Sequence, residues 1–270
     1  MWCPGDRWTS YNCNCWVLNM FRTRKPEKDD LAGDDMVVIV EQAVNPFLVV
    51  FHEPSGFRAE QIRALRNKLI AMNPDSAAKT LVVTSAIRGE GKSVTAANLA
   101  MAFAQLDHCP VLLLDGDLRS PSLESYLSLG TQPGIADVLM GRVSLDEAIR
   151  ETGINNLWMM GAGMDSAEGP SEIITSPKVG ELFARLKQQF HYVIVDTSAC
   201  LPATDASVFS TRADGTLVVV RLEHSSKTLT QEAIKNLQDL GGNILGTFVT
   251  EVRGADPEAD PRLRGTSRGR

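Results

Sequence analysis

Val82-Val83-Thr84-Ser85-Ala86-Ile87-Arg88-Gly89-Glu90-Gly91-Lys92-Ser93 is the stretch that decides the fold. Its β-branched start reads as a buried strand, and Gly89 and Gly91 break that strand into a loop. Val94 to Leu106 then has the composition of a helix. Strand, glycine loop and helix in this order form a phosphate-binding P-loop of the A-x-x-x-x-G-K-S kind, with Ala86 where the first glycine usually stands. The loop predicts a nucleotide cradle made by Arg88, Gly89, Glu90, Gly91, Lys92, Ser93 and Val94. Backbone N–H groups and the positive end of the helix would meet phosphate oxygens. Lys92 would reach the β- and γ-phosphates, and the Ser93 hydroxyl would sit on Mg²⁺.

Two further apolar runs end in acids. Leu112-Leu113-Leu114-Asp115-Gly116-Asp117 delivers two carboxylates, and Tyr192-Val193-Ile194-Val195-Asp196 delivers one. In an open parallel sheet, ligands bind beyond the carboxyl ends of the strands, so Ser93, Asp115, Asp117 and Asp196 are expected to converge there. Mg²⁺ takes hard oxygen ligands and keeps several waters, which suits Ser93, Asp117 and Asp196 as metal ligands. Lys92, Asp115 and Asp117 are the catalytic candidates. A lone strand-end aspartate is commonly a cap or turn residue; three such sites in this order with a P-loop predict nucleoside triphosphate binding.

These motifs resemble the bacterial tyrosine kinases (BY-kinases) that accompany capsule and exopolysaccharide synthesis. Gly89 to Ser93 matches their P-loop, Asp115-Gly116-Asp117-Leu118-Arg119-Ser120-Pro121 their second motif, and Val193 to Thr197 their Walker B strand. Glu60-Gln61-Ile62-Arg63-Ala64-Leu65-Arg66 matches the E-x-x-R-x-x-R helix with which they assemble into rings. The likeness runs from about Asn45 to Glu251. It implies ATP and Mg²⁺ as cofactors, and a homo-oligomer formed through Glu60, Arg63 and Arg66. It also implies a membrane-embedded chain-length regulator of polysaccharide export as partner, and Thr250 beside the adenine where the family has asparagine. Cell-division and plasmid-partition ATPases share the fold but carry a lysine near the start of their loop, where Ile87 and Arg88 stand here.

The chain departs from that family at three places. Its tyrosines are Tyr11, Tyr126 and Tyr192, with none after Tyr192, so a C-terminal tyrosine cluster is missing. Ser198-Ala199 replace two prolines after Walker B, and Thr250 replaces the asparagine. Three functions therefore stay open: tyrosine phosphorylation of a polysaccharide-export protein, an ATP-binding or hydrolysing oligomeric switch without kinase activity, and a scaffold without turnover.

The remaining sequence frames one α/β domain. With 270 residues and 43% hydrophobic, the chain can bury one sizeable core. Strands are predicted at Leu81–Ser85, Val111–Asp115, Leu157–Met160, Tyr192–Asp196, Thr216–Arg221 and Ile244–Thr250. Helices between them imply parallel pairing and a three-layer, doubly wound, mostly parallel sheet, that is, a P-loop NTPase fold with deviant Walker motifs. Glu60 to Met72 predicts an amphipathic helix; Ser144 and Glu147 predict a capping box opening a helix at Leu145, and another helix begins near Pro177. Ala162 to Ser171 is expected to be a loop, and Met36–Val40 and Phe47–Phe51 edge structure or an arm on a neighbour. Residues 1–44 read as leader and charged linker, disordered in expectation, 45–252 as the P-loop domain, and 253–270 as a flexible tail.

A formal charge of −6 argues against a general nucleic-acid binder. No apolar run approaches the roughly 18 residues of a spanning helix, and the start lacks a secretory pattern. A cytoplasmic protein is expected, recruited to the inner face of the plasma membrane by its partner. Cys3, Cys13 and Cys15 lack the paired spacing of a zinc site, and Cys200 reads as a small packed residue rather than a nucleophile.

Overall fold

A computed structural model describes residues 44–163 and 169–251 of the chain. In chain order the elements begin with α1 (Val49–His52), α2 (Phe57–Ala71), β1 (Lys79–Ser85), α3 (Lys92–Ala104) and β2 (Val111–Asp115). The middle holds α4 (Leu123–Tyr126), α5 (Ile135–Leu139), α6 (Leu145–Ala148), β3 (Arg150–Glu151), β4 (Leu157–Met160) and α7 (Pro170–Thr175). The last part holds α8 (Lys178–Gln189), β5 (Tyr192–Asp196), α9 (Asp205–Arg212), β6 (Gly215–Arg221), α10 (Lys227–Asp239) and β7 (Ile244–Thr250).

The seven strands form one sheet in the order β3-β4-β2-β5-β1-β6-β7. Every pairing is parallel except β3 with β4. Strands buried on both faces need apolar residues at consecutive positions, which is why β1, β2 and β5 read as unbroken Val/Leu/Ile runs. Alternation along these strands then divides the core. Leu81, Val83, Leu113 and Ile194 pack with Leu99 and Phe103 of α3, and that layer continues into α2 through Ile62 and Leu69. Val82, Leu112, Val193 and Val195 face the other way, onto Phe183 and Leu186 of α8 and Phe209 of α9.

The P-loop helix α3 is buried nearly all round, its alanines Ala96, Ala97, Ala100, Ala102 and Ala104 included. Its last turn has no basic residue. Arg66 of α2 supplies one, donating from Nη1 to the Ala102 carbonyl at 2.8 Å, where the helix end leaves acceptors unpaired.

All six predicted strands are present, with β1 beginning two residues earlier than expected at Lys79 and β6 one earlier at Gly215. The capping box is formed: Ser144 and Glu147 bond each other's backbone N–H at the start of α6. Two local expectations are corrected, and one short strand is new. Phe47–Phe51 is not an edge strand; it runs into the helical turn α1, with Leu48 and Val50 buried in the chain's own core. The expected loop Ala162–Ser171 gives way at Pro170 to α7, because proline after Gly169 presets the first helical turn and Glu172 favours the helix start. The two-residue β3 is too short to carry a periodic signal. Met36–Val40, the leader cysteines, the charged linker, residues 164–168 and the tail lie outside the described residues.

Candidate active site

Three neighbouring strands end at one place. Val83 of β1 pairs with Asp196 of β5, and Asp115 of β2 pairs with Asp196 from the other side. Beyond β1 the chain passes through the glycine loop into α3, so the helix start hangs over these strand ends. Gly91 is the last residue before α3 and sits at φ 90°, a left-handed conformation that glycine adopts without steric cost. Gly116 is needed for a different reason. Its N–H donates to the Asp196 carbonyl at 2.7 Å, and a Cβ there would lie 2.8 Å from that same oxygen.

Lys92 Nζ lies 3.3 Å from both Ser93 Oγ and Asp117 Oδ2, so one ammonium links the helix start to the second motif. Asp117 is buried, and its Oδ1 accepts from the Ser120 amide at 3.1 Å. Asp115 is engaged elsewhere. Its Oδ1 accepts from the Asp117 amide at 3.1 Å, and its Oδ2 from the Ser122 and Leu123 amides at 2.9 and 3.0 Å. It therefore holds the loop that carries Asp117 and the start of α4. Burial pushes its carboxyl up to about 6; the three amides oppose the rise and the Asp117 charge adds to it.

Asp196 differs from both. It is fully buried, and neither carboxyl oxygen has a hydrogen-bond partner. Burial pushes it up to about 7; the nearby Lys92 ammonium is the strongest influence in the opposite direction, and Asp115 and Asp117 add to the rise. The Ser93 hydroxyl is close enough to favour the charged carboxylate without completing a hydrogen bond of ordinary geometry. Asp117 and Asp196 thus share a single ammonium, and both Asp196 oxygens are open to the site. A small divalent cation fits that charge deficit and those orphaned oxygens, with waters completing its coordination. Among the described residues no group of three or more His, Cys, Asp or Glu forms a protein-only metal cage.

A second set of contacts holds the loop from outside. The buried Glu90 side chain accepts from the Ile87 amide at 2.9 Å and from the Ser225 hydroxyl. Arg221 Nη1 donates to the Gly89 carbonyl at 3.2 Å, and His224 Nε2 lies 3.2 Å from the Arg88 carbonyl. The Thr250 hydroxyl donates to the Glu90 carbonyl at 3.2 Å, so this expected base contact is engaged with the loop itself. Arg88 contributes its carbonyl here, and the first turn of α3 carries Val94. Sequence reasoning passed over Arg221, His224 and Ser225. The usable signal was topological: they stand at the end of β6 and just beyond it, and β6 is the other neighbour of β1, so this segment must close on the P-loop.

On the far side, Arg119 fixes the second motif. Its Nε donates to the buried Asp205 at 2.7 Å, and Ser171 Oγ lies 3.0 Å from the same carboxylate. The three residues of the proposed oligomer helix lie on α2. Arg63 bonds Glu60, the Pro54 carbonyl and Gln105 Oε1 (3.1 Å), and Arg66 reaches α3 as described. The two arginines are half-buried by these internal bonds and Glu60 is exposed.

A family model described as an AAA domain matches residues 78–244. Tyrosine-protein kinase YwqD of Bacillus subtilis (strain 168) is 31% identical over 202 residues, 75% of this chain and 84% of that protein. This chain belongs to the bacterial tyrosine-protein kinases. The putative tyrosine-protein kinase CapB of Staphylococcus aureus is 28% identical over 76% of this chain and 89% of its own length. The succinoglycan biosynthesis transport protein ExoP of Rhizobium meliloti (strain 1021) is 28% identical over 76% of this chain, which spans 26% of that longer protein. The kinase domain of the Escherichia coli tyrosine kinase ETK superposes with a TM-score of 0.72 at 26% identity, covering 77% of this chain and 80% of that one. Bacterial tyrosine kinase membership agrees with the doubly wound sheet and the P-loop described above. Among the described residues no helix is long and apolar enough to cross a membrane.

Proposed function

We propose that this chain transfers the γ-phosphoryl group of ATP to tyrosine on a protein of capsule or exopolysaccharide synthesis. The observation that carries the reading is the meeting of Lys92, Ser93, Asp117 and the unpartnered Asp196 at adjoining strand ends under the start of α3. Phosphoryl transfer asks a protein mainly for positioning and charge stabilisation, and this cluster supplies both. Backbone N–H groups from Gly89 to Val94 would hold the β- and γ-phosphates, with Arg88 at the rim and Glu90 bracing the loop. Ser93, Asp196 and Asp117 would hold Mg²⁺, which when bound neutralises charge on the phosphates. Lys92 stabilises charge on the transferring group. Asp117 would orient or deprotonate the incoming hydroxyl, and Asp115 keeps Asp117 in place through the backbone. Thr250 would border the base from its position on the Glu90 carbonyl.

Family membership supports a reading of the partners. Glu60, Arg63 and Arg66 would take part in a homo-oligomer, with Glu60 the outward member. A membrane-embedded chain-length regulator would bring the cytoplasmic kinase to the membrane face. The greater length of a transport-protein relative supports this reading, since there a matching region is one quarter of a larger chain.

The acceptor is sought on another protein or on Tyr126 or Tyr11, because Tyr192 is buried and stacked on Phe103 at 4.0 Å between ring centroids. Incubation with Mg-ATP followed by mass spectrometry tests the reading, with Lys92→Ala alongside. Phosphotyrosine in the wild type and a roughly 100- to 1,000-fold loss in Lys92→Ala are expected, the size typical of removing one transition-state charge contact. Equal labelling of the two proteins would overturn the site assignment. ATP hydrolysis without phosphotyrosine, in the presence of the membrane partner, would select the switch reading, which the replacement of two prolines by Ser198-Ala199 favours.

A further inference from the structure

Ser198 carries one of the few buried side-chain oxygens among the described residues that meet no partner. The others at this end of the sheet are the two oxygens of Asp196, two residues earlier. Beyond β5 the chain stays alongside β1: the Thr197 amide donates to the Val83 carbonyl at 3.2 Å. Asp196 itself lies on the α3 face, since Tyr192 and Ile194, at the same parity in β5, belong to the core layer packed on α3. Ser198 follows it by two residues, where the pairing with β1 turns irregular: the next amide bonded to β1 is that of Cys200, to the Ser85 carbonyl. The Ser198 backbone is pinned as well. Its carbonyl accepts from Thr84 Oγ1 at 2.9 Å and from Thr197 Oγ1 at 3.3 Å. The hydroxyl is thus held at a fixed place, only 3% exposed, with nothing to bond.

A buried hydroxyl without a partner is costly, and a chain that keeps one beside an equally unpartnered carboxylate has polar groups awaiting a polar ligand. We propose that Ser198 is a positioning residue of the cation site, its hydroxyl hydrogen-bonding the hydration shell of a divalent cation held by Asp196. This rests on the phosphoryl-transfer reading above and extends it to a residue outside the matched motifs. Ser198 acts on the cation's surroundings, not on the phosphates.

The test measures binding and stability on the purified chain. Fluorescent ADP is titrated with and without Mg²⁺, and thermal unfolding is followed without ligand, for wild type, Ser198→Ala, Ser198→Thr and Asp196→Asn. In Ser198→Ala the Mg²⁺ concentration for half-maximal ADP binding should rise roughly five- to tenfold, the worth of one hydrogen bond. ADP affinity in EDTA should not change, and the ligand-free unfolding midpoint should stay equal or rise, since an orphaned polar atom is removed. Ser198→Thr, which keeps the hydroxyl, should restore the Mg²⁺ dependence. Wild-type Mg²⁺ dependence in Ser198→Ala beside an impaired Asp196→Asn would overturn the inference alone. ADP binding that ignores Mg²⁺ in the wild type would overturn the site reading and this inference with it. A fall in ligand-free stability with unchanged Mg²⁺ dependence would assign Ser198 a packing role and also overturn it.

Discussion

The outer rim of the P-loop and the floor beneath it are built on opposite terms. At the rim, polar groups are matched: the buried Glu90 takes the Ile87 amide and the Ser225 hydroxyl, Thr250 takes the Glu90 carbonyl, and the exposed Arg221 and His224 take the two preceding carbonyls. Asp115 belongs with this matched set, since it accepts three amides. At the floor, Asp196 and Ser198 are as deeply buried and accept nothing through their side chains. A matched buried acid stabilises the chain that holds it, whereas an unmatched one destabilises the empty protein and gains its partner only with a ligand. Acids of equal burial thus divide into those that build the site and those open to chemistry.

The sharpest way to break that contrast is Asp196→Asn. If the floor is kept for a cation, phosphoryl transfer should fall by about 100- to 1,000-fold, as for other removed transition-state contacts. The ligand-free protein should unfold at the same temperature or higher, because an unpaired buried acid is replaced by a neutral group. Loss of activity accompanied by loss of stability would place Asp196 with the structural acids and dissolve the distinction. Steady-state rates and calorimetric midpoints on the same preparations decide it.

Asp115→Ala probes the matched side and should give the reverse pattern. Three amides lose their acceptor, a loss of about 2–4 kcal/mol in unfolding free energy by urea titration. Activity should fall as well, since Asp117 loses its support, but addition of Mg-ADP should recover much of the lost stability if the cradle itself survives. A stable Asp115→Ala variant with no activity would make Asp115 a participant in the chemistry and not a support.

Most of the frame was legible in the chain because its signals are local. Continuous Val/Leu/Ile runs announce parallel strands, glycine before Lys-Ser announces the loop, and Ser144 with Glu147 announces a cap. The convergence of strand-end residues also follows from topology alone. What local patterns do not carry is the state of each acid once folded. Asp115 and Asp117 stand two residues apart in one motif, yet one is engaged by backbone amides and the other meets Lys92, which depends on how the chain turns at Ser120 to Leu123. The end of β6 and the segment just beyond it escaped notice for a similar reason: Arg221, His224 and Ser225 have no motif, only a place beside β1. The turn α1 and the strand β3 are too short for periodicity to register.

Cys200 offers the mildest test, on the border between the two regions. It follows Ser198 and Ala199 and is bound back to β1, its amide donating to the Ser85 carbonyl at 2.9 Å and its thiol lying 3.1 Å from the same oxygen. Burial pushes the thiol up from 9.0 to about 11, with the Glu90 charge adding a smaller rise. The folded state therefore prefers the neutral thiol. Its contribution to stability is fully present below pH 9 and is lost as pH climbs through 9 toward about 11, where the unfolded thiol ionises before the folded one. The same shift governs reactivity, because the thiolate is the nucleophile. At pH 8 a thiol of this kind is ionised to about one part in a thousand, so alkylation of Cys200 should be slow in the native chain and quicken roughly tenfold per pH unit up to that range. Mass-spectrometric alkylation rates at Cys200 between pH 7 and 10 measure this directly. Rapid labelling at pH 7 would show that the segment after Asp196 opens to solvent, and the floor could not then hold Ser198 and Asp196 in a dry, fixed arrangement awaiting a cation.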